Sequence, residues 1–110
     1  NPEQVMLPSK AYSELVNGNT ELVRIRELQN RISAVMVVPY PPGIPVIMPG
    51  ERYTDETKRI VEYLNLSEEF DNKFPGFENE MHGLKMKIDS NNKKRYYTYC
   101  LKEIEQPESE

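Results

Sequence analysis

Four groups of side chains in this sequence carry functional groups capable of chemistry, and each has a plainer reading beside it. Glu78, Glu80 and His82 are metal-ligand types close together. Two carboxylates and one histidine lack the spacing of a dedicated site, so no metal is expected. The adjacent acids Glu68 and Glu69 suggest a paired-carboxylate site. Neighbours on a helix diverge by about 100°, so solvated helix surface is the expectation for both. Lys93, Lys94 and Arg95 next to Tyr96, Tyr97 and Tyr99 have the composition of a nucleic-acid patch. A charged turn entering an aromatic strand explains the same residues. The formal net charge of -4 also works against binding phosphates. Glu51 could face a cationic substrate, although a turn or capping role suits its place after Pro49 and Gly50 better.

The most informative stretch is a proline-rich run and its echo. Pro39, Tyr40, Pro41, Pro42, Gly43, Ile44 and Pro45 follow an apolar segment, and Met48, Pro49, Gly50 and Glu51 come soon after. One reading is a polyproline ligand for a partner such as an SH3 or WW domain. Such ligands normally lie in polar, disordered segments, and this one is wedged between apolar runs. The preferred reading is a rigid loop whose prolines preset the backbone and hold Tyr40 and Glu51 at an interface or cavity rim.

These residues need elements to position them. A helix is predicted from Pro8 and Ser9 through Ala11, Tyr12, Leu15 and Val16, with Ser9 as cap, Gly18 as stop and Tyr12, Leu15 and Val16 as its covered stripe. Residues 21–25 read as extended and 26–31 as one polar helical turn. The run 32–38 is the strongest strand signal, and its nearly unbroken apolar character predicts a central strand covered on both faces. Proline cannot donate to a ladder, so that strand ends at Pro39. Residues 46–48 form a second short apolar run. A second helix starts at Thr54, with Asp55 and Glu56 in its first turn and Ile60, Val61 and Leu64 on its buried face. A break is expected near Asn65. Phe74, Pro75, Gly76 and Phe77 make a turn. Leu84, Met86 and Ile88 alternate, residues 89–92 turn, and residues 97–101 return as the second arm of a β-hairpin. His82 and Gly83 lead into it. Helices and strands without a βαβ repeat make the class α+β: a small mixed sheet with a central apolar strand, a C-terminal hairpin and two to three covering helices. The expected division is 1–6 lead-in, 7–102 domain and 103–110 acidic tail.

The sequence resembles the C-terminal domain of bacterial ornithine/lysine/arginine decarboxylases. The resemblance rests on Val38, Pro39, Tyr40, Pro41, Pro42, Gly43, Ile44 and Pro45, then Met48, Pro49, Gly50 and Glu51. Upstream, Arg31, Ile32, Ser33 and Ala34 match the same family. So do Phe74, Pro75, Gly76, Phe77 and Glu78 downstream, with His82 and Gly83 after them. It covers roughly residues 7–101, and two separated motifs with the right helix between them make it specific. The resemblance implies a large pyridoxal-phosphate enzyme of fold type I that decarboxylates a basic amino acid in polyamine or acid-stress metabolism. It also implies that this domain sits at the rim of a dimeric core, shaping the active-site entrance. The partners it implies are the cofactor-binding domain of the same parent chain and further copies of the parent subunit. The family's cofactor lysine lies in a Ser-x-His-Lys pattern, whereas the single histidine here, His82, precedes Gly83. No catalytic or cofactor-binding residue is therefore expected in this chain. The Phe74–Glu78 version of the second motif leans toward arginine or ornithine as substrate.

Composition agrees with a soluble globular domain. At 110 residues, 37% hydrophobic and 29% charged, the chain suits one globular domain. No apolar run approaches the ~20 residues a membrane helix needs. The single Cys100 cannot form an internal disulfide, reads as a core residue, and fits the cytoplasm. The chain begins at Asn1 rather than Met, which suggests a fragment. The rival reading is a free-standing protein-interaction module using the proline loop or hairpin edge. Its discriminator is the reading frame upstream of Asn1.

Overall fold

The computed structural model describes residues 3–39, 43, 45–76 and 81–102. Its order is β1 (Glu3–Gln4), α1 (Pro8–Val16), β2 (Thr20–Arg24), β3 (Val38–Pro39), β4 (Glu51–Arg52), α2 (Lys58–Lys73), β5 (Met81–His82), β6 (Leu84–Ile88) and β7 (Lys94–Leu101). Short 3-10 turns at Ile25–Glu27 and Asp55–Thr57 complete it. The class is α+β, as the sequence indicates.

The main sheet has the order β2-β7-β6, antiparallel throughout. Its spine is β7, which pairs Leu101 with Thr20 at one end and Lys94 with Ile88 at the other. The hairpin β6–β7 is therefore as the alternation predicts. The central strand is not the run 32–38. That run kinks, because the buried Ser33 hydroxyl donates to the Val35 carbonyl at 2.6 Å and competes with ladder bonding. What remains is shared among three neighbours. Ile32 and Ser33 extend the sheet past the end of β6: Leu101 N–H donates to the Ile32 carbonyl and Ala34 N–H to that of Tyr99. Val37 bridges to Ile47, and only Val38–Pro39 forms a regular strand, paired with β5.

The core comprises Val23, Ile25, Leu28, Val37, Ile47, Tyr53, Leu64 and Cys100. Cys100 is buried, as its strand position suggests. Pro8 opens α1, but Leu7 is the cap residue and no side chain caps it, so Ser9 lies inside the helix. The α1 stripe is also displaced from expectation. Ala11 is the residue it buries, while Tyr12 and Val16 are each 65% exposed. Thr54 does cap the next helical segment: its Oγ1 accepts from Glu56 N–H, and Thr57 Oγ1 accepts from Thr54 N–H at 2.8 Å. α2 runs through Asn65 without a break, since the Asn65 amide donates to the Val61 carbonyl one turn back at 3.0 Å. The tail 103–110 lies outside the described residues.

Candidate motif junction and the seam behind it

The β3–β5 ladder joins the start of the proline-rich run to the His82-Gly83 segment that follows the second motif, pairing Val38 with His82 and Pro39 with Met81. Pro39 is buried and its carbonyl accepts from Gly43 N–H at 2.9 Å, closing the start of the loop. Behind the ladder, a Cβ on Gly83 would sit 2.2 Å from the Met36 carbonyl oxygen, and φ there is +93°. Only glycine lets these two segments approach so closely. Pro45, Pro75 and Gly76 are described as well, with Pro45 and Pro75 exposed and Gly76 in a turn at φ +93°. Tyr40, Pro41, Pro42, Ile44, Phe77 and Glu78 lie outside the described residues.

The second half of the first motif is a closed turn. Glu51 Oε1 accepts from Met48 N–H at 2.7 Å, and Glu51 N–H donates to the Met48 carbonyl at 3.0 Å. Between them Gly50 meets the chain just after β1, its carbonyl accepting from Val5 N–H at 2.9 Å and its N–H donating to the Ser33 carbonyl at 2.8 Å. A Cβ there would lie 2.3 Å from the Met6 carbonyl oxygen. Pro49 precedes it, half-buried. The Glu51 carboxylate thus serves the turn.

Sequence reasoning missed the polar seam between α2 and the hairpin. Glu68 is only 4% exposed, not solvated surface, whereas Glu69 is exposed. Glu68 Oε2 accepts from Tyr96 N–H at 2.7 Å and Oε1 lies 3.3 Å from the Arg95 guanidinium. Asp71, 1% exposed, accepts from the Tyr96 hydroxyl at 2.7 Å. The Asn72 side chain exchanges bonds with the Lys94 backbone, donating at 3.0 Å and accepting at 2.7 Å. The signal was present: Ser67, Glu68 and Asp71 follow Leu64 by three, four and seven residues, so they share its buried stripe. Arg95 also holds Asp89 at 2.9 Å. Asp89 is held below the usual carboxylate range, first by the Lys93 backbone N–H, against the opposing effect of burial, and then by Arg95.

Among the described residues, those with acid/base potential do not converge on a reacting centre. Burial, and then the Cys100 thiol beside it, pushes the Tyr53 hydroxyl far above its ordinary value, so it stays neutral. Among the described residues no group of three or more His, Cys, Asp or Glu could hold a metal ion. Glu78 and Glu80 fall outside them. No helix among the described residues is long and apolar enough to cross a membrane. Pyridoxal phosphate requires a lysine inside an enclosed pocket beside a phosphate-binding turn. The open groove of about 910 Å³ between α1 and the sheet end offers Lys10 and Lys102. Lys10 is exposed and lies 3.3 Å from Glu14. The described residues do not fit the cofactor.

Comparison with known proteins identifies the family to which this fold belongs. The family model for the Orn/Lys/Arg decarboxylase, C-terminal domain, matches residues 1–102. Lysine decarboxylase LdcA of Pseudomonas aeruginosa is 50% identical over 102 residues, 93% of this chain and 13% of that protein. The biodegradative arginine decarboxylase of Escherichia coli K12 is 41% identical over 101 residues, 92% of this chain and 13% of that protein. The solved structure of lysine decarboxylase A from Pseudomonas aeruginosa superposes with a TM-score of 0.83 at 48% identity, covering 93% of this chain and 14% of that one. The lean toward arginine or ornithine gains nothing from relatives named for both lysine and arginine. The chain spans about an eighth of the length of these relatives, and it belongs to the family of Orn/Lys/Arg decarboxylase C-terminal domains.

Proposed function

We propose that this chain is the accessory C-terminal domain of a longer cytoplasmic decarboxylase that acts on a basic amino acid with pyridoxal phosphate held by its other domains. Its work is mechanical: the motif junction at β3–β5 forms part of the rim of the substrate entrance, and the outer helix faces rest against the catalytic body or a further subunit. The family match over residues 1–102 carries this reading. The apolar side chains outside the core support it. Tyr63, Leu66 and Phe70 along α2, and Phe74 just past its end, recur at helical spacing and are 41 to 63% exposed. The Phe70 and Phe74 rings pack against each other, tilted by 41° with centroids 4.8 Å apart. A contiguous apolar stripe of that kind marks a surface that something covers. Buried, ladder-paired Pro39 favours a scaffold over an offered polyproline ligand.

The test is made on the full-length gene product. It should show the absorption band of bound pyridoxal phosphate and release carbon dioxide from lysine, ornithine or arginine. Leu66→Asp with Phe70→Asp should shift its assembly to smaller species in sedimentation. A full-length protein without cofactor and inactive on all three amino acids would overturn the reading.

A further inference from the structure

The C-terminal end of α1 carries the one Asn-Gly pair in the sequence, Asn17 followed by Gly18. Glycine after asparagine leaves the next backbone nitrogen without a side chain to shield it. That nitrogen can then attack the asparagine side-chain carbon. The surroundings leave the pair open: Asn17 and Gly18 are both exposed, and a Cβ on Gly18 would meet nothing within 4 Å. The Asn17 side chain takes no hydrogen bond among the described residues. By contrast, the side-chain amides of Asn19, Asn65 and Asn72 are tied to Glu14, Val61 and Glu68.

The backbone around the pair is closed. Gly18, at φ +79°, forms the left-handed stop of a Schellman cap. Its N–H donates to the Leu15 carbonyl at 3.2 Å, and Asn19 N–H donates to that of Glu14 at 2.9 Å. Asn17 has a ψ of 3°, which turns the Gly18 nitrogen away from the Asn17 side chain. Attack therefore waits for the last helical turn to open. Helix ends open locally at far lower cost than the whole domain unfolds.

We propose that Asn17 is a site of spontaneous covalent modification, gated by this cap. In the opened end the Gly18 nitrogen bonds to Asn17 Cγ and loses its proton. The Cγ–Nδ2 bond breaks, and ammonia leaves a succinimide ring behind. Water, the one co-reactant, then opens the ring at either carbonyl. Aspartate results when the new bond breaks, and isoaspartate when the original peptide bond does. Either product puts a negative charge at the negative end of the helix, three residues from Glu14, and both repel it. Isoaspartate also lengthens the backbone by one atom, moving the Gly18 and Asn19 N–H groups out of register with their acceptors. Asn19 passes the disturbance on. Its carbonyl accepts from Lys102 N–H at 3.0 Å, and its side-chain amide donates to Glu14 at 3.1 Å. The modification thus unties α1 from the end of β7.

The test ages the full-length gene product in warm, near-neutral buffer and digests it with trypsin. The peptide 11–24, released between Lys10 and Arg24, holds both Asn17 and Asn19. Mass spectrometry should find aspartate and isoaspartate at position 17 while Asn19 stays intact. Conversion should be several-fold slower in the folded protein than in the same protein unfolded in urea. Aged folded protein should exchange the amide hydrogens of residues 13–20 faster than fresh protein, and Asn17→Gln should abolish that gain. Position 17 unchanged in the folded protein once the unfolded sample has converted fully would overturn the proposal. So would equal rates in the two states, since the cap would then gate nothing.

Discussion

The motif junction and the α2–hairpin seam solve the same problem, joining two parts of the chain, by opposite means. The junction is made of backbone: a two-residue ladder, prolines that fix φ, and Gly50 and Gly83 where carbonyl oxygens of other segments come within a side chain's reach. The seam is made of side chains, with Glu68, Asp71 and Asn72 taking the hydrogen bonds of Tyr96, Arg95 and Lys94. A backbone joint tolerates no added atom, whereas a side-chain joint tolerates no lost one. The first kind leaves a Pro-Gly signature in sequence, and the second hides among ordinary helix polar residues.

Substitutions can separate the two. Gly83→Ala and Gly50→Ala should each cost about 3 kcal/mol, since a Cβ at 2.2 or 2.3 Å from a carbonyl oxygen forces the backbone apart on top of an unfavourable φ. Denaturant unfolding measures this, and a loss below about 1 kcal/mol would mean the segments separate freely. Glu68→Ala should cost about 2 kcal/mol by leaving the Tyr96 N–H without its acceptor. The same assay reads it, and a neutral result would reduce the seam to surface decoration. Thr54→Ala, which removes a cap outside both joints, should cost about 1 kcal/mol.

The smallest effect is the pH response of the hairpin turn. The Asp89 carboxyl is depressed by the Lys93 N–H and by Arg95, so its contribution is complete above the ordinary carboxylate value of about 4. It disappears as pH falls through the lower folded value. Asn91 and Lys93 amide resonances should titrate with a midpoint below that of a free aspartate, and Asp89→Asn should abolish the titration. A midpoint at or above the free value would contradict the assigned bonds.

What the sequence disclosed follows the same division. Pro8, Gly18 and Thr54 announced helix ends because their roles are local to a few residues. The alternation of Leu84, Met86 and Ile88 announced the hairpin, and the two Pro-Gly motifs announced the family. The run 32–38 misled because apolarity reports burial and not hydrogen-bond partners, and Ser33 bends the chain at a point no periodicity marks. Tyr12 and Val16 misled in the opposite sense. Their spacing correctly reported an apolar stripe, but α1 buries Ala11 and half-buries Leu15, leaving Tyr12 and Val16 exposed. Glu68 and Glu69 were treated alike because neighbours in sequence share a composition and not an environment.

The sheet's spine, β7, is also the last of its strands to be synthesised, and it pairs with β2 from near the chain's start. On the ribosome, β2 must wait for more than seventy residues to be added before any ladder partner emerges. Until then its edge and the apolar residues flanking it remain available to wrong neighbours. A message cut short even a few codons before residue 94 would yield a polypeptide with helices but no main sheet, a product for chaperones and proteases to clear.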